Sequence, residues 1–183
     1  MRYSVTAVVV SYNREELLAE CLAGIDRQTR QPDHLIVIDN ASTDGALGVA
    51  RRFAARTAIP TRVVALPRNV GGAGGFTAGI ALAVEPLMQP LGPHESGAGY
   101  RMGGYEPQPG LVHDVWLMDD DTVPLPNALE ELLRASDACV AQNGRVPVAL
   151  GSKAIWTDGR EHLMNKPRPR THPAEGGTKL RGF

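Results

Sequence analysis

Cysteine is scarce. Cys21 and Cys139 are the only two, far apart and outside any Cys-x-x-Cys or Cys/His cluster, which excludes a disulfide framework and a zinc site and fits a reducing cytoplasmic compartment. An excess of either charge is missing as well. Nineteen basic against twenty acidic side chains leave a formal net charge of −1, so bulk electrostatics draws the chain neither to a nucleic-acid backbone nor to an anionic bilayer. No nucleic-acid partner is expected. Long hydrophobic runs are also lacking: the apolar stretch at residues 5–10 is too short for a secretory leader and has no small-residue cleavage pattern. The richest later run, residues 75–84, falls far short of the roughly 20 residues that span a bilayer. A soluble chain is expected, which leaves work at a membrane surface open.

What is present fits one domain: 183 residues, 43% of them hydrophobic, enough for a sizeable core. Residues 3–11 are β-branched and apolar, as in a strand covered on both faces. Asn13 stands three residues before Glu16 in an N-cap arrangement, and Leu17, Leu18, Cys21, Leu22 and Ile25 recur at helical spacing, so a helix is predicted to about residue 27. A second strand at 35–38 runs into Asp39-Asn40-Ala41-Ser42-Thr43-Asp44-Gly45, a turn- and cap-forming cluster. A helix at about 46–56 and a strand at 62–66 follow, then Arg68, Asn69, four glycines in the five positions 71–75, and a helix predicted over 76–84. From 86 to 110, eleven of twenty-five residues are glycine or proline; this reads as a mobile insertion loop. Strands at 115–118 and 146–155 flank a helix marked by Leu125, Leu129, Leu132 and Leu133. The alternation implies an α/β fold, a mostly parallel sheet with helices on both faces. Beyond Trp156 the periodicity fades.

The residues able to carry chemistry cluster at predicted strand ends. Asp119-Asp120-Asp121 follows an apolar strand, and three adjacent carboxylates repel unless a cation joins them. Hard oxygen ligands suit Mg²⁺ or Mn²⁺, which bind one or two carboxylates and complete their shell with water and substrate phosphates. The competing reading is a solvated acidic turn capping the next helix. Asp39 ends another strand and opens toward the same edge of a parallel sheet, where it could accept from a base N–H or a ribose hydroxyl; Ser42 and Asp44 are equally well read as helix caps. Tyr12 could lie against a planar base and Arg14 could reach a carbonyl or phosphate, although a solvated Arg14 in the helix's first turn is the plain alternative. The glycine segment matches neither Gly-x-Gly-x-x-Gly nor a P-loop. Close packing of helix on sheet explains it as well as a phosphate cradle does. His94, His113, His162 and His172 show no ligand spacing.

Four segments in order, Val8-Val9-Val10-Ser11-Tyr12-Asn13-Arg14, residues 38–45, residues 69–76 and Trp116-Leu117-Met118-Asp119-Asp120-Asp121, resemble the nucleotide-sugar-binding half of glycosyltransferase family 2, an inverting family with the GT-A fold. The glycine segment and the triple Asp look most like its galactofuranosyltransferase branch, with rhamnosyltransferases next. That resemblance implies a UDP-galactofuranose donor, or dTDP-rhamnose as second choice. It also implies a bridging Mn²⁺ or Mg²⁺ and a cell-wall or surface glycan, free or lipid-linked, as acceptor, with peripheral membrane association. Carried onto this chain, Tyr12, Arg14, Asp39 and Asn69 would contact the uridine, Asp119 the ribose and metal, Asp120 the donor sugar and Asp121 the metal. Residues 1–156 would form the donor-binding domain, with 86–110 inserted, and 157–183 the start of an acceptor-binding segment. The family's catalytic base and a later metal-binding His are expected beyond Phe183, Glu161 and His162 being unsuited to those roles, so this chain would bind donor yet transfer poorly. The alternatives are a non-catalytic nucleotide-binding module and a haloacid dehalogenase-type phosphohydrolase, whose nucleophile motif Asp119-x-Asp121 imitates. The latter normally places that motif after the first strand, and here three strands are predicted to precede the strand that ends at it.

Overall fold

Strand-forming residues at 2–11 sit between two apolar partners in a computed structural model that describes residues 1–85, 89–90, 100–101 and 109–162. Ten elements run in the order β1 Arg2–Ser11, α1 Glu15–Asp26, β2 His34–Asp39, α2 Ala46–Ala54, β3 Thr61–Ala65, α3 Gly71–Val84, β4 Gln89–Pro90, β5 Tyr100–Arg101, β6 Leu111–Asp119 and α4 Ala128–Asn143. The main sheet has the order β3-β2-β1-β6, and every pair in it is parallel. β4 and β5 form a separate antiparallel pair. No helix among the described residues is long and apolar enough to cross a membrane.

Alternation along the strands sorts the core into two layers. Ala7, Val9, Leu35, Val37 and Met118 pack on one face with Leu18, Cys21, Leu22 and Ile25 of α1 and Ala46, Ala50 and Phe53 of α2. Val8, Val10, Ile36 and Ile38 face the other way, against Phe76 and Leu82 of α3. The expected α/β architecture, a parallel sheet covered on both faces, is therefore observed.

Three local expectations are corrected. The third helix starts at Gly71, not at residue 76, so the glycine run forms its first turns. A Cβ on Gly75 would stand 2.5 Å from Val10 Cγ1 and one on Gly79 2.3 Å from Val8 Cγ1; the missing side chains let α3 lie against β1. The strand expected over 146–155 is absent from the described residues, which hold only one bridge there, Ile155 with Glu161. Pro147 donates no ladder hydrogen bond, Gly151 weakens a strand, and Val148 is fully exposed with no face to bury against. Asn13 is not the cap of α1; it lies one residue outside, with φ of 52°, and Arg14 occupies the N-cap position. Most of the predicted insertion at 86–110 lies outside the described residues.

The chain divides into two compact units, Met1–Val146 and Pro147–Phe183. Within the described part of the second, a turn closes by Gly159 N donating to the Trp156 carbonyl at 2.8 Å, Lys153 pairs with Glu161 at 2.6 Å, and His162 lies 4.4 Å from the Trp156 ring.

Gly72 and Gly79 of α3 should respond oppositely to an added methyl group. Gly79→Ala forces its Cβ into Val8 and should cost about 1–3 kcal/mol. Gly72→Ala, with nothing within 4 Å of the new atom, should be neutral or stabilising by up to about 1 kcal/mol. Urea denaturation of both variants checks this; equal losses would disprove the packing account.

Candidate functional site

Parallel pairing fixes where the candidate residues meet. Ser11 lies opposite Asp39 across β1 and β2, and Val10 lies opposite Asp119 across β1 and β6. Asp39 and Asp119 thus flank β1 at the carboxyl end of the sheet, about 10 Å apart at two strand spacings. The loops after these strands bring Tyr12, Arg14 and the Asp triplet to the same edge, which is where ligands bind in open α/β sheets.

The Arg14 guanidinium joins two members of the triplet. Its Nη1 donates to Asp121 Oδ2 at 2.6 Å and to Asp120 Oδ1 at 3.2 Å. Asp120 is buried, and the Tyr12 backbone N–H donates to its other oxygen at 3.2 Å. These carboxylates, Asp120 first, push the Arg14 pKa upward. The Asp119 carboxyl is also pushed up, by desolvation first and then by the charges of Asp121 and Asp120. Beneath it, the Cys21 thiol donates to the Asp119 carbonyl at 3.8 Å; burial first, then the three Asp charges, pushes this thiol up to about 12. It stays neutral and packs rather than reacts. The ring of Tyr12 stands exposed at the edge.

Asp39 is only 3% exposed. One of its oxygens accepts from Ser42 N at 3.2 Å, while Oδ1 has no hydrogen-bond partner among the described residues, and neither does Ser11 Oγ beside it in register. A buried polar atom left unpaired costs about 1–3 kcal/mol, so two of them at one strand-end position mark a place prepared for something else to bond. Asn69 is brought to this edge by a residue the sequence did not single out. Buried Asn40 donates Nδ2 to Asn69 Oδ1 at 3.1 Å and to the Gly71 carbonyl at 3.2 Å, and accepts from Val70 N at 3.0 Å. Asn69 Oδ1 also accepts from Gly71 N at 2.7 Å. Its side-chain oxygen therefore shapes the turn that starts α3. Nothing in the sequence distinguished Asn40 from the other turn formers around it.

Three further connections hold the loops. Asp44 accepts from Glu15 N at 3.0 Å and from Ala46 N at 3.0 Å, so one carboxylate caps both α1 and α2. Asn13 Oδ1 accepts from Thr43 N at 2.7 Å, and Asn13 N donates to Ser42 Oγ at 3.1 Å. Buried Gln28 ties down the loop after the triplet, donating to the Leu125 carbonyl at 2.6 Å and accepting from Leu129 N at 3.0 Å. It had no signal in the sequence.

Among the described residues no group of three His, Cys, Asp or Glu side chains is gathered as a ready metal cage. The donor chemistry nevertheless suits a dication: one guanidinium against three carboxylates leaves two negative charges, and Asp119 and Asp121 supply the one or two carboxylates such ions take. The opposite edge offers a shallow groove of about 460 Å³ lined by Met1, Tyr3, Arg30, Glu130 and Asp137 among others. Its charges are mutually satisfied, with Tyr3 Oη donating to Asp137 at 2.7 Å and Arg134 paired with Glu130.

The family model described as Glycosyl transferase family 2 matches residues 6–90. Over that segment the chain is similar to glycosyltransferase family 2. The match takes in β1 through α3, with Tyr12, Arg14, Asp39 and Asn69. Galactofuranosyltransferase GlfT1 of Mycobacterium tuberculosis (strain ATCC 25618 / H37Rv) is 43% identical over 84 residues, 46% of this chain and 27% of that protein. GlfT1 of Mycolicibacterium smegmatis is 41% identical over 80 residues, 44% of this chain and 25% of that protein. The aligned part thus spans about a quarter of the length of these relatives. Residues 1–349 of S. aureus TarS, solved with UDP, superpose with a TM-score of 0.50 at 18% identity, covering 87% of this chain and 43% of that one. That is a likeness of fold, and the sheet and its helices are GT-A-like.

If Asp44 joins the two helices at this edge as described, Asp44→Ala should lower stability by about 1–2 kcal/mol and Asp44→Asn by roughly half as much, since the amide keeps one acceptor oxygen and can cap only one of the two helices. Guanidinium denaturation measures both; equal losses would rule out the double cap.

Proposed function

We propose that this chain forms the nucleotide-sugar-binding part of a metal-dependent, inverting glycosyltransferase of family 2. The observation that carries the reading is the buried Asp39 Oδ1, without a partner among the described residues, at the same sheet edge as Asp119, Asp120 and Asp121. A nucleobase supplies the N–H that Asp39 lacks, and the exposed Tyr12 ring offers it a flat surface. Asp119 and Asp121 would hold Mn²⁺ or Mg²⁺ against the diphosphate, with Asp119 also reaching the ribose and Asp120 facing the donor sugar. When bound, the ion supplies Lewis-acid stabilisation of the leaving nucleoside diphosphate. Similarity to the two GlfT1 proteins favours UDP-galactofuranose as donor and a cell-wall or surface glycan as acceptor.

The division of labour follows from charge and burial. Arg14 offsets one charge of the triplet, Asp120 is held by the Tyr12 amide, and the Asn40–Asn69 pair fixes the turn from which α3 starts. The Val70 and Gly71 amides of that turn are taken by Asn40 and Asn69, but Gly71 and Gly72 carry no side chain and have open space where a Cβ would stand, so phosphate oxygens can approach the start of α3 closely. An inverting transfer also needs a base to take the acceptor hydroxyl's proton on the face opposite the leaving group; the carboxylates gathered here serve the donor side.

Isothermal titration with UDP and with dTDP, each with and without Mn²⁺, tests the reading. UDP should bind in a Mn²⁺-dependent manner and more tightly than dTDP. Asp121→Asn removes a charge while keeping the shape, and should abolish the Mn²⁺ dependence. Metal-independent binding by the parent protein, or an unchanged response in Asp121→Asn, would contradict the proposed metal role.

A further inference from the structure

Arg14 is fixed along its backbone and free along its side chain. Before it, Asn13 is locked to Ser42 and Thr43; after it, Glu15 N is capped by Asp44, and the Arg14 carbonyl accepts from Leu18 N at 2.9 Å. Its side chain is 48% exposed, as is that of Asp121 at 49%, whereas Asp120 is 5% exposed. The guanidinium can therefore leave the triplet by rotation of its own side chain, without disturbing α1. The two carboxylates differ in what they lose. Asp120 retains the Tyr12 amide, while Asp121 gives up the 2.6 Å contact that is its ion pair.

Resting on the metal–diphosphate reading of this edge, we propose that Arg14 is a built-in counterion that holds Asp121 until a divalent cation and a nucleoside diphosphate arrive together. The cation then takes Asp121, and the guanidinium passes to an oxygen of the diphosphate, for which its planar fork is suited. A cation arriving alone must displace the guanidinium from Asp121 and leave it beside a second positive centre with only the longer contact to Asp120. A nucleotide arriving alone meets the carboxylates. Each ligand removes the obstacle to the other, so their binding is positively coupled and Arg14 carries the coupling. Such coupling keeps the edge from being filled by free metal.

The test measures Mn²⁺ binding without nucleotide, by electron paramagnetic resonance of the free ion, for the parent protein, Arg14→Gln and Arg14→Lys. Thermal unfolding reports that each is folded. Removing the competing charge should tighten Mn²⁺ binding by Arg14→Gln on the order of tenfold, the size expected for a half-exposed charge within a few ångströms. Arg14→Lys should stay near the parent, and the enhancement of Mn²⁺ binding by UDP should shrink in Arg14→Gln. Mn²⁺ affinity in Arg14→Gln equal to or weaker than the parent's would overturn the proposal. In the parent protein itself, the Arg14 Nε–Hε resonance should move when Mg²⁺ and UDP are added together, and an unmoved resonance would also overturn it. Asp121→Asn separates the two readings. If that variant loses Mn²⁺-dependent UDP binding while Arg14→Gln leaves Mn²⁺ affinity unchanged, only the counterion role fails; if Asp121→Asn changes nothing, the metal reading beneath it fails.

Discussion

Parallel pairing of β1 with β2 on one side and β6 on the other forces the carboxyl ends of three strands to one edge, and carboxylates that repel one another meet there around a single guanidinium. Several neighbouring bonds hold the elements that carry that charge. The Tyr12 amide turns toward buried Asp120, Asp44 caps two helices at once, and Gln28 fastens the loop that leaves the triplet. Two residues accept left-handed backbone for it, Asn13 with φ of 52° and Ala41 with φ of 63°. Such conformations cost about 1–3 kcal/mol each in non-glycine residues and persist where surrounding bonds over-determine them. Here the Asn13 bonds to Ser42 and Thr43 do so.

The sheet was legible because its central strands, β1 and β2, are buried on both faces. Runs such as Val8-Val9-Val10 and Leu35-Ile36-Val37-Ile38 leave no polar face to place elsewhere, and the helical spacing of Leu18, Cys21, Leu22 and Ile25 has one satisfactory partner. Convergence of Tyr12, Arg14, Asp39 and the triplet followed from parallel strand ends, whereas Asn69 is held there by Asn40. The misses have different causes: packing that overrode a local signal, local breakers within an apolar run, and bonds between residues distant in the chain. Glycines at 71–75 discourage a helix by propensity, yet the close seat of Gly75 and Gly79 on Val10 and Val8 makes that helix fit. Residues 146–155 are apolar enough for a strand, but Pro147 and Gly151 interrupt them and Val148 is left in solvent. Asn40 and Gln28 act through partners about 30 and 100 residues away, and no local pattern announces such bonds.

The similarity to glycosyltransferase family 2 covers residues 6–90, and the edge extends beyond it to the triplet that begins at the last residue of β6. The two meet at Arg14, which lies inside the matched segment and bonds to residues outside it. Within the matched segment lie the residues proposed to read the base, Tyr12 and Asp39, with Asn69 and its glycine turn. The triplet adds the charge that would fix a metal and diphosphate. Neither half suffices alone: a buried unpaired oxygen on Asp39 names no metal, and an acidic turn after a strand names no nucleotide.

Amide chemical shifts followed during titration with UDP and Mg²⁺ test the central claim, that this edge is the nucleotide-sugar site. The account predicts perturbations concentrated at Tyr12, Arg14, residues 39–44, residues 69–75 and Asp119, Asp120 and Asp121, with Tyr3, Arg30 and Asp137 at the opposite edge unmoved. Shifts confined to that opposite groove, or no saturable shifts at all, would contradict it.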